Sequence, residues 1–95
     1  MHKRKPTHPG IILEEDYIKP LEIKNLQGLA NALGISRKTL HKIRTGAGRV
    51  TPEMALRLAK LFRTTPELWL NLQQKYDLWV AWKEHPEIDK IRAIA

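Results

Sequence analysis

The sequence predicts an all-α domain built around a helix-turn-helix, and three observations carry that prediction. Residues 26–46, LQGLANALGISRKTLHKIRTG, place Leu29, Leu33, Ile35, Leu40 and Ile43 where two short crossing helices need core contacts. Ala30 is small enough for a close crossing, and Gly34 can adopt the left-handed backbone that a sharp turn requires. Helix-start signals also recur along the chain: Thr51-Pro52-Glu53 and Thr65-Pro66-Glu67 each supply an N-cap, a proline at the first helical position and an acid.

One start signal departs from this rule. Ser36 is a good N-cap, yet Arg37 and Lys38 follow it, cations at the end of a helix where the macrodipole favours anions. A chain that obeys the rule twice and breaks it once marks the breach as functional.

Taken in order, residues 1–7 are basic, contain Pro6 and lack apolar periodicity, so they read as a flexible arm. A domain over residues 8–84 follows, then a tail over 85–95. His8-Pro9-Gly10 opens the first helix, whose buried side is expected to be Ile11, Ile12, Leu13, Tyr17 and Ile18, and Pro20 stops it. The acidic run Glu14-Glu15-Asp16 is either a solvated face or a dock for a basic protein. Asn25 is placed to cap the first helix of the motif, and Gly46 to end the second.

A fourth helix is expected over residues 52–62, with Met54, Ala55, Leu58, Leu61 and Phe62 on one face and Arg57, Lys60 and Arg63 outside. The fifth runs from Pro66 to about Glu84 and ends at His85-Pro86. Its stripe of Leu68, Trp69, Leu72, Tyr76, Trp79 and Val80 faces the core. Leu78 and Trp82 project elsewhere, which predicts a homodimer interface unless the tail folds back over them.

At 95 residues the chain is one domain that leaves little room for an active-site cleft. Its formal net charge is +7, and the excess has two sources: residues 1–10 contribute +3 and residues 36–49 contribute +5, while the rest sums to −1. Such concentration implies a densely anionic partner, nucleic acid first. Cysteine is absent, which excludes disulfides and thiolate metal sites. No cofactor or metal is expected. The chain shows no signal peptide or apolar span and no hydrolase, nucleotide-binding or metalloprotease motif, so a cytoplasmic non-enzyme is expected.

His8-Pro9-Gly10, LGISRKTLHKI, TPEMALRLAKLF and above all TTPELWLNLQ followed by YDLW resemble the HigA (VapI) antitoxins, a branch of the Cro/C1 (lambda repressor-like) XRE helix-turn-helix superfamily. The resemblance spans about residues 8–82. It implies a five-helix domain that neutralises a HigB-like ribonuclease toxin of the RelE type and represses its own operon as a dimer. A plain XRE repressor without a toxin is the alternative. Ile11, Gly28 and Arg63 depart from the family pattern, and Arg63 is expected to leave the fourth helix without its usual left-handed cap.

In a helix-turn-helix of this kind residues 36–44 enter the major groove with the N-terminal end toward the bases. Arg37 and Lys38 can then donate to guanine O6 and N7, with His41 and Lys42 one turn along. Thr39, Arg44, Thr45 and Arg49 are the expected phosphate contacts.

Overall fold

The computed structural model describes residues 4–94. These form five helices and a short 3-10 turn: α1 (Pro9–Ile12), continued without a break by a π-helical stretch (Leu13–Ile18), then α2 (Leu26–Leu33), α3 (Arg37–Arg44), α4 (Pro52–Phe62), α5 (Pro66–Glu84) and the 3-10 turn Pro86–Lys90. No strand occurs among the described residues.

Every helix begins on a side chain that accepts a backbone N–H. Asn25 Oδ1 takes that of Gly28, and the hydroxyls of Ser36, Thr51 and Thr65 take those of Thr39, Met54 and Leu68. His8 does the same for α1 through Nδ1, with Pro9 in the first helical position. These local bonds satisfy donors that a helix leaves unpaired at its start.

The C-terminal ends are equally local. Gly34 takes φ 74°, and Ile35 N–H reaches the Ala30 carbonyl while Gly34 N–H reaches that of Asn31, which turns the chain sharply from α2 into α3. Arg57 of α4 then donates to the Leu33 carbonyl at 2.9 Å. The expectation that α4 lacks a left-handed cap is corrected: Arg63 itself adopts φ 57°, and Thr64 N–H closes on Ala59. A non-glycine residue there stores backbone strain.

The π-helical stretch was not expected, since the sequence predicts an α-helix up to Pro20. Lys19 N–H bonds to Glu14 and Ile23 N–H to Ile18, both five residues back. The widened turn lets Leu13 and Ile18, which are five apart, face the same core. Ile11 turns outward instead of joining them.

The core collects Leu13, Ile18, Leu29, Ala30, Leu33, Leu40, Ile43, Val50, Met54, Ala55, Leu58, Ala59 and Trp69. Leu61 and Leu68, expected inside, are exposed, and Ala59 and Gln73 are buried in addition to the residues expected. Trp69 is fully enclosed; its Nε1–H donates to Thr64 Oγ1 at 2.8 Å, and Tyr17 packs with its ring tilted against both Trp69 and Phe62. Beyond Gln73, α5 has no buried residue, and the described residues extend 52 Å along one axis against 22 Å across. Among the described residues the tail does not fold back: residues 84–94 are exposed throughout, and Leu78 remains 50% exposed.

Candidate nucleic-acid interface

Helix α3 divides cleanly. Leu40 and Ile43 are buried, and Arg37, Lys38, Thr39, His41 and Lys42 are exposed. Arg37, Lys38 and Lys42 pair with no carboxylate among the described residues. Three cations and a histidine therefore stand unneutralised on one outer face. Ser36 Oγ donates to Thr39 Oγ1 at 2.9 Å, so the Thr39 hydroxyl keeps its own proton available for an acceptor.

The remaining sequence-predicted residues are placed differently. Arg44 directs Nε and Nη2 onto one oxygen of Glu14, each at 2.6 Å, and both side chains are about three-quarters covered. Thr45 donates its hydroxyl back to the carbonyls of His41 and Lys42, leaving no proton for a phosphate oxygen. Arg49 Nη2 lies 2.6 Å from Asp77 Oδ2. Of the expected phosphate contacts, Thr39 alone is uncommitted. Leu78 and Trp82 lie on the projecting half of α5, away from the core.

Two anchors fix α3 and the loop behind it. His8 Nδ1 accepts from Gly10 N–H, so its proton resides on Nε2, which donates to the Gly48 carbonyl at 3.1 Å. Gly10 presses on the end of α3 so closely that a Cβ there would stand 1.7 Å from the Ile43 carbonyl oxygen. The second anchor comes from α5. The buried Gln73 accepts the Val50 N–H at 2.7 Å and donates to Asp77 Oδ1 at 2.9 Å.

The acidic run at the first helix is largely spent inside the molecule. Glu14 pairs with Arg44 and Glu15 with Lys19 at 2.7 Å, which leaves Asp16. Lys5, in the predicted arm, lies over the rings of Tyr76 and Trp79 at 5.7 and 5.6 Å. Residues 1–3 of that arm fall outside the described residues.

Comparison with known proteins agrees with this geometry. The helix-turn-helix family profile matches residues 21–69, just over half of the chain. An uncharacterised HTH-type transcriptional regulator of Haemophilus influenzae is 49% identical over 83% of this chain and 73% of its own length. Antitoxin HigA-1 of Vibrio cholerae is 38% identical over 81% and 71%. The solved structure of antitoxin GraA in complex with its operator superposes with a TM-score of 0.87 at 38% identity, covering 100% of this chain and 97% of that one.

The chain belongs to the HigA-type helix-turn-helix family. Those relatives are named as regulators and antitoxins, not as enzymes. Membership gives the signature residues of this HigA-family chain physical roles. In WLNLQ, Trp69 is the core plug and Gln73 the clamp on the loop that follows α3; in YDL, Asp77 holds Arg49 while Tyr76 packs edge-on against His8 at 4.9 Å.

Sequence reasoning alone did not identify Glu14, Gln73 or Asp77 as partners of the interface. A signal existed for two of them: Gln73 and Asp77 are polar residues one helical turn apart, set among the apolar residues of α5. Among the described residues no helix is long and apolar enough to cross a membrane.

Proposed function

We propose that this protein is a sequence-specific DNA-binding antitoxin that neutralises a HigB/RelE-like ribonuclease toxin and represses its own operon as a homodimer in the cytoplasm. The observation that carries the reading is the exposed, unneutralised N-terminal half of α3 on a chain that superposes on GraA bound to its operator. Arg37 and Lys38 read base edges with His41 and Lys42 beside them. Thr39 donates to phosphate. Arg44 and Arg49 meet phosphate with their charge already shared with Glu14 and Asp77, and Thr45 donates to it only by releasing its own helix end. The domain spans residues 8–84, Leu78 and Trp82 meet their counterparts across the dimer, and residues 1–7 and 85–95 serve as basic arm and tail.

A repressor with no toxin is the second reading, favoured by the name of the Haemophilus relative. Two measurements separate these possibilities. Anisotropy titration with DNA from upstream of the protein's own gene, against scrambled DNA of equal length, tests operator recognition; equal affinities contradict it. Co-expression with the neighbouring open reading frame tests neutralisation. Growth rescue and co-purification support the antitoxin, whereas a neighbour that is harmless alone favours the plain repressor.

A further inference from the structure

We propose that Asp77 acts through Arg49 as an internal competitor of DNA phosphate and so sets the sequence-independent part of this protein's DNA affinity. The inference rests on the DNA-binding reading and extends it to a residue outside the helix-turn-helix. Arg49 sits one residue beyond the glycine whose carbonyl His8 holds, in the loop that follows the recognition helix, where a cation would ordinarily meet the backbone of a duplex. Its guanidinium is instead joined to the Asp77 carboxylate at 2.6 Å.

That carboxylate is built in rather than incidental. Its second oxygen accepts from Gln73 Nε2, and the other end of the same amide accepts the N–H of Val50, the residue next to Arg49. Gln73 is only 3% exposed, so Asp77 is tied through a buried group to the backbone that carries its partner. Polar satisfaction is complete along this path, since no buried side-chain nitrogen or oxygen among the described residues lacks a partner.

The Glu14–Arg44 pair makes a useful contrast. Its two side chains are 22% and 24% exposed, whereas those of Asp77 and Arg49 are 35% and 62% exposed. An enclosed pair opens at high cost; an exposed one exchanges its partner readily. DNA therefore meets Arg49 under one of two conditions. If Arg49 stays with Asp77, one phosphate fewer is neutralised. If it moves to phosphate, an unpaired carboxylate is left facing an anionic backbone. Either way the cost falls on DNA of any sequence and leaves Arg37 and Lys38 untouched.

The test is a salt titration of Asp77→Asn, which removes the charge but keeps an oxygen for Gln73. Operator and scrambled DNA should both bind roughly three- to tenfold tighter at low salt, and the slope of log affinity against log salt should steepen by about 0.9 per protomer. In an Arg49→Ala background the same substitution should leave the slope unchanged and tighten binding by clearly less, since only the repulsion of a bare carboxylate remains to be relieved. Should Asp77→Asn lower the melting temperature, Asp77→Ser provides a second probe with the same expectation. Unchanged or weakened binding, with an unchanged slope, overturns the proposal while leaving operator recognition intact. A wild-type protein that fails to prefer its operator overturns the DNA-binding reading and this inference together.

Discussion

His8 shows how much one side chain can fasten. Its ring caps α1 through Nδ1, holds the Gly48 carbonyl through Nε2 and packs edge-on against Tyr76, so three segments close on one imidazole. Burial lowers its pKa from the usual 6.5, against the opposing pull of the Gly48 hydrogen bond and the Asp77 charge. The folded protein thus favours the neutral ring, the only form whose Nδ1 can accept from Gly10. The unfolded chain binds more protons between the two pKa values, so stability from this residue is fully present above pH 6.5 and is lost as pH falls through the folded value. Melting curves from about pH 8 to about pH 5 should show this loss, and His8→Ala should be less stable by about 1 to 2 kcal/mol near neutrality with a flatter pH profile. An equally steep profile in the variant would assign the dependence to other groups. Gly10→Ala should cost about 1 to 3 kcal/mol or more in chemical denaturation, because the added carbon collides with backbone that cannot retreat. The HPG motif was visible in the sequence, but its cause was not: His8 and Gly48 are 40 residues apart, and no local pattern announces that meeting.

Among the helices, what was legible was what is local. Each N-cap acts within three residues, so Asn25, Ser36, Thr51 and Thr65 could be read directly, and each does cap its helix. The buried and exposed faces of α3 followed from its period in the same way. Ion pairs that join distant segments, Glu14 with Arg44 and Arg49 with Asp77, left no comparable trace, and they alter which basic residues remain free. The π-helical stretch escaped for a related reason: its wider turn satisfies the packing of Leu13 and Ile18 against the rest of the core, a demand that propensity does not encode. Arg63 offers a test at this scale. Replacing it with glycine should raise stability by up to about 1 kcal/mol, since glycine accepts φ 57° without the steric penalty. Unchanged or reduced stability in thermal unfolding would mean that the Arg63 side chain contributes more than its backbone costs.

At the scale of the whole molecule, the decisive feature is that α5 outruns the domain it supports. Its first half delivers Trp69 and Gln73 to the interior, and its second half carries the exposed Leu78 and the half-buried Trp82 on a stretch of helix with no buried residue. Apolar residues on a projecting helix are expected to find a second copy. Replacing Leu78 and Trp82 together with polar residues should give a folded monomer with weakened operator binding, while the wild type scatters light as a dimer at tens of micromolar; a wild type that stays monomeric there removes this interface. The central claim, however, is that the cations at the start of α3 accept an unfavourable helix dipole in order to read bases. It is tested most directly by titrating wild type, Arg37→Ala and Lys38→Ala against operator and scrambled DNA at several salt concentrations. Losing a base contact should cost about 1 to 3 kcal/mol on operator and much less on scrambled DNA, with discrimination blunted at a single base pair. If each substitution weakens operator and scrambled DNA by the same factor, these residues contribute charge alone and the start of α3 is not the reading head.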